Sequence, residues 1–184
     1  MRRILTGQVL LIICCIFYMI WWYRCYRPGE AVNRVGGANG ILLLSTAAFG
    51  IVGVVLSLAS VPMITPPRIG AAWIVAAGIV AYVLLLLITR YAFHRVVTTE
   101  LILIVGWTML EIAVICHLNA AGGLSDRGFS IMCAVIAVAF IVSIILYVAY
   151  YRMEEMKAFY AAMVPLVSAA VSMGLLIVVH STGK

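Results

Sequence analysis

Charge is what this chain has least of. Six acids and twelve bases serve 184 residues, where a soluble domain carries roughly 25% charged residues to keep its surface wet. So few charges cannot cover a sphere of this size, and most of the outer face is therefore expected to meet lipid. The net charge of +6 is spread singly or in small groups between apolar runs. Without a basic stripe the footprint of nucleic-acid binding is missing, and that class is excluded.

Other absences narrow the chemistry. Cys14, Cys15, Cys25, Cys116 and Cys133 are odd in number and contain no CxxC spacing. They read as small apolar fillers rather than as a disulfide framework or zinc site. No GxSxG, HExxH, Walker or GxGxxG signature falls on a suitable element. No lysine lies in the middle of an apolar run for a Schiff base, and His94, His117 and His180 do not offer a haem pair at matching depth. No cofactor and no metal are expected. Catalysis is the lesser expectation.

Six runs are long enough for a membrane-spanning helix, which takes about 20 apolar residues: residues 4–23, 39–64, 69–90, 99–121, 129–151 and 159–180. Only a helix satisfies every backbone polar group inside such a segment. Turn residues separate the runs, as in RPGE at 27–30, TPPRIG at 65–70 and AGGLSDRG at 121–128, and no connection is long enough for a soluble domain. The expected fold is all-α: a polytopic membrane protein in which one integral domain, 1–184, forms a six-transmembrane-helix bundle of three antiparallel hairpins. The first run follows Arg2-Arg3 but lacks a small-x-small cleavage site, so it reads as a span and not as a signal peptide.

The first, third and fifth runs end in WWYRCYR, TRYAFHR and YVAYYR. Aromatic rings favour the headgroup level, with arginine beyond them in water, so the three clusters mark one interface. Shared membrane physics explains the likeness as well as hairpin duplication does. That side carries Arg24, Arg27, Arg34, Arg90, Arg95, Arg152 and Lys157, and the other side Arg2, Arg3, Arg68, Arg127 and Lys184. The excess of basic residues favours the aromatic–arginine side in the cytoplasm, both termini outside, and a plasma (inner) membrane. Small residues four apart, Gly53/Ser57, Ala72/Ala76 and Ala170/Gly174, are expected to let helices approach closely.

Glu111 is the anomaly, a carboxyl at the centre of the fourth run. Translocon scales set about 2.5–3.5 kcal/mol against an acid at that depth, a cost that protonation or an interior position would relieve. No lysine or arginine shares its depth. Tyr82, Ser143 and Ser168 do, while Thr108 and Trp107 precede it by three and four residues on the same helical face. These six residues are the candidate ligand or proton site. Pro165, in the first half of the sixth run, is expected to kink it and free the carbonyl of Ala161. The bland reading of Glu111 is a protonated, satisfied interhelical hydrogen-bonder with no ligand. His117, His180, Asp126, Cys116 and Cys133 gather toward the opposite end, but their spacing fixes no metal site, and interfacial histidines explain them.

The sharpest functional expectation is a carrier or binding protein for a hydrophobic or amphipathic small molecule, proton-coupled through Glu111. Trp107 and Tyr82 would supply stacking, and a homodimer or membrane partner protein would complete the carrier. The alternatives are a non-catalytic accessory or scaffold subunit and, further down, a lipid-modifying enzyme using His117, Asp126 or His180. The lipid bilayer is the one partner common to all three.

Overall fold

The computed structural model describes residues 2–29, 34–59, 61, 71–92, 94 and 99–182. Its order is α1 (Arg2–Tyr26), α2 (Ala38–Leu58), α3 (Ala71–Leu87) running into a π-helical turn (Ile88–Ala92), α4 (Thr99–Ala120), α5 (Asp126–Ala149) with a 3-10 turn (Tyr150–Arg152), α6 (Glu155–Ala161) and α7 (Val164–Thr182). No strand occurs among the described residues. Six helical segments are long and apolar enough to cross a membrane, counting α6 and α7 as one segment, Glu155–Thr182.

The expected runs match these helices, with two differences. The second run was drawn to Ile64, but α2 stops at Leu58, and the TPPRIG turn with Arg68 lies outside the described residues, as do Arg95 and Lys184. The sixth run is two helices, not one kinked helix. Ala162 and Met163 form a turn between α6 and α7, and Pro165 falls in the first turn of α7. A proline there costs nothing, because the first backbone N–H groups of a helix have no partner inside it.

The closest helix pair is α1 with α2. Gly7 lies against Gly53 and Ser57, Leu11 against Gly53, Cys14 against Gly50, and Phe17 against Phe49. One number rises as the other falls, so the two helices are antiparallel. A Cβ on Gly7 would sit 2.7 Å from the Ser57 backbone nitrogen and 2.8 Å from the Gly53 carbonyl, so only glycine permits this approach. The Gly53/Ser57 pair thus works as its spacing suggests. Of the other two pairs, Ala170 packs against the buried apolar core. Ala76 is exposed, Gly174 faces open space, and the Ala72 side chain is outside those described.

Two apolar clusters hold the bundle. The larger joins α1, α4, α5 and α7 through Ile4, Leu11, Leu110, Val114, Ile136 and Met173. The smaller joins α3, α4 and α5 through Leu101, Ile104 and Tyr147, with Tyr82 and Leu85 packed against them. Between α4 and α5 the turn is built by short-range chemistry. Gly122, at φ +69, lets the Gly123 N–H reach back to the Leu118 carbonyl at 2.8 Å, the usual left-handed glycine stop. Ser125 then opens α5 by accepting from the Gly128 N–H at 3.1 Å. On the outside, Leu44, Ile51, Trp73 and Ile79 are exposed.

Candidate functional site

Glu111 is fully buried. It faces the interior beside Leu110, Val114 and Ile115 of the larger cluster. The group that acts on its carboxyl is the side-chain amide of Gln8 on α1, itself completely enclosed. Yet none of the four polar atoms of this pair attains hydrogen-bonding geometry with any partner. A buried polar atom left without a partner costs about 1–3 kcal/mol, so this is the most costly polar cluster in the described interior.

The hydroxyls expected to meet Glu111 are engaged elsewhere. Thr108 donates to the Ile104 carbonyl at 2.8 Å, Ser143 to Ala139 at 2.7 Å and Ser168 to Pro165 at 2.9 Å, each within its own helix. Tyr82 belongs to the smaller cluster around Leu101 and Ile104, at least seven residues, or about 10 Å along α4, from Glu111. Trp107 packs on the larger cluster, and its indole N–H is buried without a partner. The six residues therefore do not converge on one point. Gln8 is the residue that depth counting missed. It stands near the start of α1 yet meets the centre of α4, so position within a run did not report position within the bundle.

Beside this polar pair is a cavity of about 840 Å³, open on one side past the exposed Ile51 and Leu103, that reaches every long helix. Trp107 and Ser143 line it, whereas Glu111, Thr108, Tyr82 and Ser168 do not. Its wall is almost wholly apolar, with Leu11, Val54, Leu103, Leu146 and Met173 typical, and Glu100 is the one charged lining residue among the described residues. Leu11, Cys15, Leu110 and Met173 belong both to this wall and to the larger cluster, and Cys15 lies within electrostatic reach of Glu111. They form the partition between cavity and acid. The cavity is thus apolar and passes alongside Glu111 without reaching it.

Toward the Glu100 end the wall gains polar atoms. Glu100 interacts electrostatically with Tyr18 and Tyr150. The Trp22 indole N–H and the Tyr147 hydroxyl are buried on that wall with no hydrogen-bond partner. Trp22 stacks on Tyr26 at 4.2 Å between centroids, which fixes its ring. This constellation comes from three helices that lie far apart in the chain, so no local motif announced it.

At the opposite end, His180 lies in the last turn of α7 and is turned into the bundle. It is 2% exposed, and its Nδ1 lies 2.6 Å from the Gly123 carbonyl. It ties α7 to the α4–α5 turn. Cys116 and Cys133 are free thiols, like the other three cysteines. Among the described residues no three histidine, cysteine or acidic side chains gather as metal ligands.

Comparison of the chain with protein-family models, with curated proteins and with solved structures finds no match.

Proposed function

We propose that this protein is an integral membrane protein, its six spans forming three antiparallel hairpins, that binds or carries a hydrophobic or amphipathic small molecule. The observation that carries this reading is the cavity of about 840 Å³ with its apolar wall and polar end. Small-molecule sites are concave, mostly apolar and roughly 300–1,000 Å³, with a few placed polar groups. The membrane assignment rests on the outward faces of α2 and α3. Leu44 and Trp73 are 73% and 74% exposed, a cost in water that acyl chains would remove.

Glu111 and Gln8 are read as the proton-holding pair behind the cavity. A carboxyl with no cation at its depth holds a proton most cheaply when its site is dry. Trp107 connects the two regions, since it lines the cavity and precedes Glu111 by one helical turn. Filling the cavity presses on Trp107 and on the Cys15–Leu110 partition, and so on the space available to the Glu111 proton.

Native mass spectrometry of the gently extracted protein tests the reading. A retained lipid-like molecule, with Glu111→Gln abolishing the pH dependence of its binding, is the expected result. Extraction with a second spanning protein and an empty cavity would instead favour an accessory subunit.

A further inference from the structure

The cavity has an opening as well as a wall. α2 is packed along α1 and α3 along α4, but among the described residues α2 and α3 are not packed on one another. Between these two helix pairs the cavity lies open. Its rim is formed by Ile51 and Val55 of α2, Val75 of α3 and Leu103 of α4, all cavity-lining and all at least 44% exposed.

Depth decides what stands in front of this opening. The middle of α2 is residue 48, that of α4 falls between 109 and 110, and that of the apolar segment of α3 is 82. At 1.5 Å per residue, all four rim residues lie within about 10 Å of mid-span. The hydrocarbon core reaches roughly 15 Å to either side of its centre. In spans centred on the bilayer the opening therefore faces acyl chains, not headgroups or water. The rim side chains are also branched, unlike the small residues by which membrane helices approach closely. That favours a chain of methylenes over a partner's helix.

Gly106 marks the way in. It stands one turn beyond Leu103 on the same face of α4, lines the cavity, and a Cβ there would meet nothing within 4 Å. Glycine weakens a helix interior, and here no close helix contact requires it. Its missing side chain leaves the cavity floor clear just inside the rim. Leu110 and Ala113 continue that floor inward, at 8% and 6% exposure.

We infer that the cavity is a side pocket of the bilayer: an acyl chain of the surrounding lipid enters between α2 and α3 and lies along the Leu103–Gly106–Leu110 face of α4. This inference rests on the ligand-binding reading above and adds the source of the occupant and its route.

The test places the full-length protein in phosphatidylcholine vesicles whose acyl chains carry bromine, either deep in the chain or close to its ester end. Bromine quenches tryptophan on contact. Trp107 reports the cavity that it lines, and Trp73, on the outer surface at the start of α3, reports the surrounding lipid. Each is read in a protein keeping that ring alone, the other three being phenylalanine. The difference between the native chain and Trp107→Phe gives the same reading without the triple substitution. Trp107 is expected to lose most of its emission to deep bromine and none to iodide in the water. Gly106→Leu and Gly106→Phe put progressively larger side chains in the passage and should restore that emission stepwise. Unaltered quenching of Trp73 in these variants separates a blocked passage from a lost fold. Quenching of Trp107 by iodide alone would put the entrance in water and overturn the inference, leaving the ligand-binding reading in place. A Trp107 reached by neither quencher would mean that another helix or a second copy covers the opening, which also overturns it. Undiminished quenching by bromine in both Gly106 variants does the same. The native mass spectrum decides the ligand-binding reading independently, and a Trp73 untouched by either bromine would sink the membrane assignment beneath both.

Discussion

Gln8 on α1 and Glu111 on α4 face one another in a fully enclosed site, four polar atoms with no hydrogen bond among them. The pair therefore contributes little stability in this arrangement, and its members depend on each other only as neighbours of matching polarity. With no hydrogen bond between them, replacing either residue removes buried unpaired atoms and strands none. Gln8→Met alone is expected to leave stability unchanged or to raise it by up to about 1–3 kcal/mol. Gln8→Met with Glu111→Met should raise it further, measured as thermal melting of the extracted protein. A double variant less stable than either single one would show that the two residues do not share a site.

The sequence made the helices plain and the site much less so. Composition and run length announce six spans because a lipid-facing helix must be apolar on nearly every side, and that demand is local. Gly53 and Ser57 were legible as a contact for the same reason, four residues being one turn. The counterpart of Glu111 was not. Which helix lies opposite a given depth depends on packing order and on how each helix is shifted along its axis, as Gln8 near the start of α1 meeting the centre of α4 illustrates. Tyr82 and Ser168 shared the depth of Glu111 by counting but pack elsewhere. Trp22 and Tyr147 were invisible as a pair because α1 and α5 meet the cavity only through the assembled bundle.

The α1–α2 contact makes a sharper prediction. Gly7→Val would drive a branched side chain into the Ser57 backbone nitrogen and the Gly53 carbonyl, 2.7 and 2.8 Å from its first carbon. Backbone cannot yield as a side chain does, so the helices must separate. Overpacking of this kind costs about 1–3 kcal/mol, and here it also breaks the Leu11–Gly53 contact. A fall in melting temperature, with faster proteolysis between α1 and α2, is the expected outcome. An unchanged melt would mean that α1 does not lie on α2 at this point.

Gly78 offers the contrasting case. A Cβ there would fall on the Met109 side chain of α4, which supplies its three nearest atoms. Methionine is unbranched and moves aside at modest cost. Gly78→Ala should therefore destabilise the α3–α4 contact only while Met109 is present. Combining it with Met109→Ala is expected to leave no further penalty beyond that of Met109→Ala itself. A double-mutant cycle on thermal melting reads the coupling, and strict additivity of the two substitutions would contradict the packing of α3 on α4.

His180 closes the end of the bundle away from Trp22. The Gly123 carbonyl can only accept, so the His180 Nδ1 at 2.6 Å carries the proton and donates. Gly123 also sits at the end of α4, where its own N–H is bound to Leu118, so the turn is fixed from both sides. Asparagine places an amide N–H near the position of Nδ1; leucine places none. His180→Leu should deprive the part-buried carbonyl of this donor and cost about 0.5–1.5 kcal/mol, while His180→Asn should retain much of the stability. The distinguishing readout is hydrogen exchange at residues 121–125, which should accelerate in His180→Leu and stay slow in His180→Asn. Equal exchange in the two variants would mean that the histidine fills space without tethering the turn, and that α7 is held to α5 by packing such as Val179 on Gly128 alone.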